Sequence, residues 1–396
     1  MRWSIRRMLR IRIGSLLDER WTSNVSDWKK APLSDFIQFK NGKKRPVNIG
    51  IYPVYGGNGI LGYTDLANQE NCVIIGRVGA YCGSVYYEPA RHWVSDNAIS
   101  ATNKSNSDII FDYYLLRFLN LNYRHIGTSQ PLLTQEILNS IVFNWPPFSE
   151  QVLIGNILQV LDDKINNNNA INHHLEQVAQ AVFKSWFVEF EPWGGVVPDG
   201  WRIEKLGNLC QSISKTHSFD KDNLIFLNTG DIDNGKYLHA NFSSIGDMPG
   251  QAKKSISKDD ILYSEIRPIN RHFAYVNFDS IDYVVSTKLM VIRAKGIDSR
   301  RLYHYLTSKD VIDILQLEAE SRSGTFPQIR FENIQNLDIL LSTQSTEKEF
   351  STFLHSIYAA VDANNIESAR LAALRDTLLP RLMSGELRVS DISGGK

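Results

Sequence analysis

The sequence predicts an α+β protein in which two similar globular domains are separated by two long helices that form an antiparallel coiled coil, a pseudo-two-fold internal repeat. Three observations predict this fold class. Short segments recur along the chain, two long apolar patterns match position for position, and the intervening segments mix short β-branched runs with helical stretches. A chain of 396 residues is long enough for two or three domains, each with its own core.

The starts and ends of the two domains are repeated. The segment Trp28–Leu33 is echoed by Trp201–Leu206, 173 positions further on. Near the domain ends, Gly127–Pro131 is echoed by Gly324–Pro327 at an offset of about 196. Because the offset grows between the two ends, the domains carry insertions of different length in their middles.

These repeats place the globular domains at 28–150 and 201–345. Their apolar runs are short and β-branched and have turn clusters between them, which is typical of strands. Segments with helical periodicity are interspersed among these runs. Examples of the predicted strands and helices are Cys72–Ile75, Tyr283–Val285, Phe111–Asn120 and Arg301–Glu318.

Two long helices are predicted at 151–190 and 346–390, one after each domain. Their apolar positions follow steps of three and four over about four heptads, which is the spacing of a coiled-coil seam. Both patterns turn polar at matching positions, and polar seam residues fix the register of paired helices. Each seam spans at least about 42 Å at 1.5 Å per residue. The first seam is Leu158, Leu161, Ile165, Asn168, Asn172, Leu175, Ala179, Val182 and Trp186; the second, 196 positions later throughout, is Leu354, Ile357, Val361, Asn364, Ser368, Leu371, Arg375, Leu378 and Leu382.

Two further segments lie outside the repeat. Residues 191–200 are rich in proline and glycine, which predicts a linker or sharp turn. Residues 1–27 are basic and broken by arginines, and we leave this leader unassigned. The sequence has no run of about 18 apolar residues, so no membrane span is predicted. Three cysteines without CxxC spacing are typical of free thiols in a reducing compartment, which favours the cytoplasm.

No catalytic motif in the sequence is convincing. The GxGxxG pattern at Gly57–Gly62 lacks the second strand and the acidic residue of a dinucleotide site, so we interpret it as a turn between strands. The acidic pair Asp259 and Asp260 lacks the lysine of a nuclease site and is interpreted as a solvated strand edge. We therefore expect no catalytic residue and no metal ligand in this chain.

Clustered basic side chains indicate contact with nucleic acid. The chain has 43 Lys and Arg against 43 Asp and Glu, which excludes binding by bulk charge but not by a local basic face. Basic loop residues can position a phosphate backbone, and polar or aromatic ones can contact bases. A solvated charged surface explains the same charges equally well. The candidates for DNA contact are Lys40, Lys43, Lys44, Arg45, Tyr55, Asn58, Arg77, Thr128 and Gln130 in the first domain and Lys253, Lys254, Arg267, Arg271, Thr325 and Gln328 in the second.

Taken together, these features resemble the specificity subunit of a Type I restriction–modification enzyme. The order of the matching segments over residues 28–388 is more specific than any single segment. Besides the repeated domain starts and loops, the segments that carry the resemblance are Tyr55–Ile60, Ala181–Phe187 and Leu378–Leu387.

The resemblance implies a DNA reader that is not itself an enzyme. Its two target-recognition domains would each contact one half of a split, asymmetric site in double-stranded DNA. The two long helices would set the distance between the half-sites. Two methyltransferase subunits, which bind S-adenosylmethionine, would dock on the chain, and restriction subunits using ATP and Mg²⁺ would join them. The chain itself would bind no cofactor.

Three other functions stay open from the sequence alone. The chain could be a specificity-like module of another methylation or phage-defence system, which would share the fold but not the nuclease partner. A coiled-coil adaptor that binds proteins would leave no methylated motif traceable to this chain. A self-contained methyltransferase would require the isolated chain to bind S-adenosylmethionine.

Overall fold

The fold is that of a computed structural model, which describes residues 28–127, 130–322 and 325–389. The predicted leader, residues 1–27, lies outside the described residues. The chain divides into two compact units, which we call unit 1 (Met1–Ala170 with Asn364–Lys396) and unit 2 (Ile171–Ala363). Each unit combines one strand-rich domain with about half of each long helix.

The described residues of unit 1 form three sheets. The central one has the order β2-β8-β5-β6 and is antiparallel throughout; a second, β4-β3-β7, includes the parallel pair β3 and β7, and β1 pairs with β9. The strands are β1 (Lys29–Pro32), β2 (Ile37–Asn41), β3 (Tyr52–Gly56), β4 (Gly59–Thr64), β5 (Cys72–Gly76), β6 (Val85–Glu88), β7 (Trp93–Val94), β8 (Ala98–Asn103) and β9 (Val142–Trp145); the helices that lie wholly within the domain are α1 (Ile109–Phe118) and α2 (Gln135–Ser140).

The core of unit 1 is built from β-branched strands and aromatic side chains. Every residue of β5 is buried, as expected for a short apolar strand inside a sheet. Trp145 stacks on Phe36 with ring centroids 3.9 Å apart. Asp108 begins α1 as its N-cap, because its carboxylate accepts a hydrogen bond from the backbone N–H of Phe111 at 2.9 Å.

Unit 2 repeats this plan with a larger second sheet. Its sheets have the orders β11-β20-β17-β18, β15-β12-β19-β16, β10-β21 and β13-β14. The strands are β10 (Arg202–Lys205), β11 (Cys210–Ile213), β12 (Asn223–Leu227), β13 (Ile232–Asp233), β14 (Lys236–Tyr237), β15 (Phe242–Ser244), β16 (Ala252–Ser255), β17 (Ile261–Ser264), β18 (Phe273–Tyr275), β19 (Tyr283–Ser286), β20 (Leu289–Ala294) and β21 (Asp338–Leu341); the domain helices are α4 (Ser299–Leu306), α5 (Lys309–Arg322) and α6 (Phe331–Gln335).

The predicted internal repeat is confirmed strand by strand. The sheet β2-β8-β5-β6 has the same order as β11-β20-β17-β18, and the pair β1-β9 corresponds to β10-β21. The parallel pair β3 and β7 corresponds to the parallel pair β12 and β19. Strands β1 and β10 each begin directly after the repeated tryptophan, Trp28 or Trp201.

The two long helices are α3 (Phe148–Phe187) and α7 (Gln344–Met383), each of 40 residues. They run antiparallel in each unit: in unit 1 Asp162 meets Arg375, and in unit 2 Phe187 meets Phe350. All eighteen predicted seam positions are buried or half-buried. The predicted pairing is therefore confirmed within each unit.

In unit 1, the polar seam positions Asn168, Asn364 and Ser368 belong to one hydrogen-bonded layer. The buried Asn168 amide donates to Glu367 Oε2 at 3.0 Å and to Ser368 Oγ at 3.3 Å. Lys164 Nζ donates to Asn168 Oδ1 at 2.8 Å and also pairs with Glu367. The hydrogen bond from Asn168, with Lys164 nearby, lowers the pKa of Glu367. Because these groups satisfy one another in a single alignment, the layer fixes the register of this stretch.

Three interpretations from the sequence can be compared directly with the structure. The GxGxxG segment is confirmed as a turn, since Gly56 and Gly59 close the antiparallel hairpin of β3 and β4. The solvated edge predicted at Asp259 and Asp260 is wrong for Asp260, which is fully buried and holds Arg293 through both carboxylate oxygens at 2.7 and 2.8 Å.

The stretch predicted over Arg301–Glu318 is helical, but it is divided into two helices. The chain forms α4 and α5 with a break at Thr307 and Ser308. The hydroxyl groups of these residues donate to the carbonyls of Tyr303 and Tyr305, both at 2.8 Å. Side chains that bond to nearby backbone in this way compete with helix continuation.

Candidate nucleic-acid interface

Three parts of the chain meet at one end of the central sheet of unit 1, and we call them loop cluster 1: the turn 57–58, the segment 77–81 and the paired segments 126–127 and 130–132. Gly79 N donates to the carbonyl of Pro131 at 3.1 Å, and Val78 pairs with Leu132. Ser84 Oγ donates to the carbonyl of Gly57 at 2.5 Å, which ties the turn to the same place.

Loop cluster 1 brings together several of the predicted contacts. Asn58 and Gln130 are exposed, and Arg77 is half-buried. The backbone of Arg77 is fixed, because its N–H donates to the carbonyl of Asn97 and its carbonyl accepts from Leu133 N, both at 2.9 Å. Thr128 lies outside the described residues. The side chains that are described could contact bases from rigid loops.

The predicted basic segment follows β2 in unit 1 and is also held by its backbone. Lys43 N donates to the carbonyl of Val94 at 3.0 Å, and Trp93 Nε1 donates to the carbonyl of Lys43 at 3.1 Å. The side chains of Lys40, Lys43, Lys44 and Arg45 are exposed. Exposed cations on a fixed backbone are suited to contacting phosphates.

Unit 2 contains the equivalent arrangement, loop cluster 2, formed by segments 265–271 and 325–328. Arg267 N donates to the carbonyl of Pro327 at 3.1 Å, and Ile266 pairs with Gln328, which reproduces the contacts of Gly79 and Val78 in loop cluster 1. Thr325, Arg267 and Arg271 are exposed and Gln328 is half-buried. The structure thus brings Arg267, Thr325 and Gln328 together, and their contact with DNA stays a prediction.

The predicted Lys253 lies on a second surface of unit 2. It is exposed on β16, and its carbonyl accepts from His217 N at 2.7 Å. The neighbouring segment places the exposed Lys215 beside it, since Ser255 N donates to the carbonyl of Lys215 at 2.9 Å. Lys215 is a basic neighbour that the sequence could not reveal, because 38 positions separate it from Lys253.

Two candidates have their polar groups bonded within the fold. Tyr55 is buried and its hydroxyl donates to Glu88 Oε2 at 2.8 Å; burial, together with this bond, raises the pKa of Tyr55. Lys254 Nζ donates to the carbonyls of Thr287 and Leu289, both at 2.9 Å, and burial lowers its pKa. Both polar groups are occupied inside the fold, which argues against a direct contact with DNA.

The loop clusters also expose aromatic residues that were not among the candidates. Tyr81 of loop cluster 1 is 52% exposed, and Phe326 of loop cluster 2 is 66% exposed. An aromatic ring at a loop tip can stack on bases or contact thymine methyl groups. Phe326 could have been found from the sequence, because it lies inside the repeated loop beside Thr325.

Metal sites and membrane spans are two other features that such a chain could carry. Among residues 28–127, 130–322 and 325–389, no group of three or more His, Cys, Asp or Glu side chains is placed to hold a metal ion. Within the same described ranges, no helix is both long and apolar enough to cross a membrane.

Comparison with known families decides the classification. The family model of the Type I restriction modification DNA specificity domain matches residues 25–177 and 198–373, which is one match for each strand-rich domain and the helix that follows it. The chain belongs to this family.

Other members of the DNA specificity family match parts of this chain. The Type I restriction enzyme HindI specificity subunit of Haemophilus influenzae is 40% identical over 167 residues, which cover 41% of this chain and 36% of that protein. The MjaIX specificity subunit of Methanocaldococcus jannaschii is 22% identical over 284 residues, covering 67% of this chain and 65% of that protein. The matches thus span between about a third and two thirds of these relatives.

The fold of this DNA specificity protein is shared with a solved structure. The Type I restriction–modification S subunit from M. genitalium aligns over 93% of this chain and 98% of that chain, with a TM-score of 0.58 and 18% sequence identity. The equivalent loop clusters lie in corresponding places of the two family matches, one in each unit.

Proposed function

We propose that this chain is the sequence-specific DNA-recognition subunit of a Type I restriction–modification complex. The observation that carries the proposal is the duplicated loop cluster with unlike side chains. Each cluster is built on the same backbone contacts, but Arg77 and Gly79 of unit 1 are replaced by Glu265 and Arg267 in unit 2. Two loop clusters that share their backbone contacts but differ in their side chains are suited to a bipartite, asymmetric DNA site, with one unit bound to each half.

The distribution of charge supports the same proposal. The chain is neutral overall, with 43 basic and 43 acidic residues. The exposed cations Lys43, Lys44 and Arg45 nevertheless follow one another on a fixed segment, and Arg267 and Arg271 flank one short turn. Local cations can position phosphates, while the neutral remainder limits binding to unrelated anions.

The partners follow from this role. We expect two methyltransferase subunits to supply S-adenosylmethionine chemistry and restriction subunits to supply ATP- and Mg²⁺-dependent cleavage. This chain would then contribute recognition and assembly rather than catalysis. Such a complex would act on DNA in the cytoplasm, where its cofactors are found. A specificity-like module of another methylation system would keep the methyltransferase partner and lack the restriction subunits.

Modified-base sequencing of the host genome tests the proposal. With the gene intact, we expect one methylated motif made of two unlike half-sites with a spacer of fixed length. Deleting the gene should remove that motif and leave other methylated motifs unchanged. A genome with no motif dependent on this chain would contradict the proposal and favour the protein-binding adaptor.

The basic segment of unit 1 offers a second test. Replacing Lys43, Lys44 and Arg45 by Ala should weaken DNA binding on all sequences and reduce the salt slope by up to about 0.9 for each phosphate that these cations neutralise. The matched control replaces Lys29 and Lys30 of β1, which are also exposed, by Ala. Equal salt slopes for the two variants would show that the segment does not lie at the phosphates.

A further inference from the structure

The loop between β2 and β3 exposes apolar side chains on unit 1. Val47 is 95% exposed, Ile49 90% and Ile51 79%. Single exposed apolar residues are ordinary on protein surfaces. Here three occur within five positions, and Leu61 and Tyr63 of the neighbouring β4 are a further 40% and 52% exposed. We call Val47, Ile49 and Ile51 the apolar loop.

The apolar loop is held against β4 by Asn48 and Gly50, which lie between its apolar positions, and by Arg45, which precedes them. Asn48 Nδ2 donates to Asp65 Oδ2 at 3.1 Å, and Arg45 Nη1 donates to the carbonyl of Leu61 at 3.2 Å. Gly50 lies so close to β4 that a Cβ there would come within 2.3 Å of the backbone nitrogen of Asp65. Arg45, Asn48 and Gly50 therefore anchor the loop, which leaves the apolar side chains between and after them presented to solvent on a fixed backbone.

The surroundings of the apolar loop identify DNA as its occupant. Lys43, Lys44 and Arg45 immediately precede it and are exposed, and the nearby carboxylate of Asp65 is engaged by Asn48. A polyanion would satisfy these cations while the apolar tip reached past the phosphates. Proteins that deform DNA insert such side chains between base steps, unstacking them and kinking the duplex.

We propose that Val47, Ile49 and Ile51 form an apolar wedge that enters the DNA half-site bound by unit 1, where it unstacks a base step and bends the duplex. Lys43, Lys44 and Arg45 would hold the adjoining phosphates. The inference rests on the proposed function and adds a contribution from DNA deformability, which makes part of the half-site depend on how readily a base step opens.

A bending measurement on the full chain with its methyltransferase partners tests the wedge. The probe is a duplex that carries the methylated motif and a fluorophore at each end. The variant Val47→Ser, Ile49→Ser, Ile51→Ser should bind about tenfold or more weakly and bend the duplex less, with the salt slope unchanged because every cation is retained. The control variant Val142→Ser, Ile203→Ser removes two other exposed apolar side chains and should bind and bend DNA like the original protein.

Each other result has a distinct meaning. Unchanged affinity and bending in the triple-serine variant would overturn the wedge. A failure to assemble with the methyltransferase subunits, at unchanged DNA affinity, would also overturn it and assign the apolar loop to a protein contact. If the original complex shows no sequence-specific binding at all, the proposed function fails, and the wedge fails with it.

Discussion

At the scale of the residue, one backbone position distinguishes the two loop clusters. Gly79 has a φ of +73° and Arg267 a φ of +43°, and each donates its N–H to the carbonyl of a proline in the adjoining loop. Glycine adopts this left-handed conformation freely, whereas a residue with a Cβ does so at a cost of roughly 1 kcal/mol. Unit 2 therefore has an arginine side chain where unit 1 has the hydrogen atom of glycine. The backbone strain that this arginine causes would be explained by a role in DNA recognition.

Replacing Arg267 by Gly is expected to separate recognition from folding. The fold should be unchanged or slightly stabilised, because glycine removes the backbone strain. Discrimination in the half-site of unit 2 should fall by about 1–3 kcal/mol if Arg267 contacts a base. Binding to duplexes substituted at single positions measures this loss. Asn120→Gly, which relieves a φ of +47° outside the loop clusters, serves as control. A uniform loss over all sequences would assign Arg267 to phosphate instead.

Also at this scale, a buried histidine joins unit 2 to its helical pair. His304 is 3% exposed, and its Nε2 hydrogen-bonds with the hydroxyl of Tyr358 at 2.9 Å. Burial, followed by the charges of Arg301 and Arg300, lowers the pKa of His304 from 6.5 to about 3. The neutral form is thus the folded form at neutral pH.

This pKa predicts how stability depends on acidity. Below pH 6.5 the unfolded chain binds a proton that the folded chain does not bind until about pH 3, so stability falls as pH decreases through this range. One such proton changes the free energy of unfolding by about 1.4 kcal/mol per pH unit. Urea midpoints from pH 7 to pH 4 should fall less steeply for His304→Gln than for the original chain. The exposed His174→Gln should follow the original chain. Parallel curves for all three proteins would contradict a neutral buried imidazole.

At the scale of the element, the helices were the most predictable part of the fold. The seam residues and their offset of 196 follow from periodicity, which averages over about four heptads. The ends were less predictable: α3 begins at Phe148 and ends at Phe187, against 151 and 190 expected. After the helix, Phe190 adopts a left-handed backbone conformation with a φ of +54°. Glycine is the residue that usually marks such a position in a sequence, so a phenylalanine there gave no signal of the helix end.

The candidate DNA contacts could likewise be predicted only in part from the sequence. Sequence reasoning places Asn58 in a turn and Gln130 in a loop and names Arg77 as a candidate, and the fold brings their segments together. The pair Lys253 and Lys254 could not be resolved in the same way. Successive residues of a strand face opposite sides, and only strand pairing decides that Lys254 faces inward.

An ion-pair hub connects α1 to the helical pair of unit 1. Asp162 of α3 accepts from the hydroxyl of Tyr114 at 2.7 Å and from Arg117 at 3.4 Å, and it also pairs with Arg375 of α7. One carboxylate thereby holds three elements together, and its side chain is only 19% exposed.

Removing the Asp162 carboxylate should lower the free energy of unfolding of unit 1. Asp162→Asn is expected to cost about 1–3 kcal/mol, because it leaves Arg375 and Arg117 without their shared anion. A double-mutant cycle with Arg375→Met, measured by urea unfolding, should give a coupling energy of about 1 kcal/mol. Additive effects would mean that the pair contributes packing only.

At the scale of the whole molecule, the repeat predicts modular recognition. Each unit has its own sheets and its own loop cluster, built from residues of that unit. The sequence reveals this duplication at the domain ends but not in the middles, where β13, β14 and β16 of unit 2 add strands beyond the shared plan.

Exchanging residues 28–150 for the corresponding domain of a family member should change one half of the methylated motif. The other half and the spacer should stay unchanged, because unit 2 and both long helices are retained. Modified-base sequencing of a host carrying the hybrid chain measures the outcome. A change in both halves would contradict independent reading by the two units.

The composition of unit 1 also has a consequence for synthesis on the ribosome. Leu382, Met383 and Val389 belong to the same apolar core as Leu33 and Trp145, and Arg388 holds Glu150 at 2.9 Å. Unit 2 is a continuous stretch of chain, whereas unit 1 needs residues from both sides of it. The first strand-rich domain therefore waits for a segment that is translated only after unit 2. During that interval the apolar core residues of this domain are exposed, and chaperones can bind them.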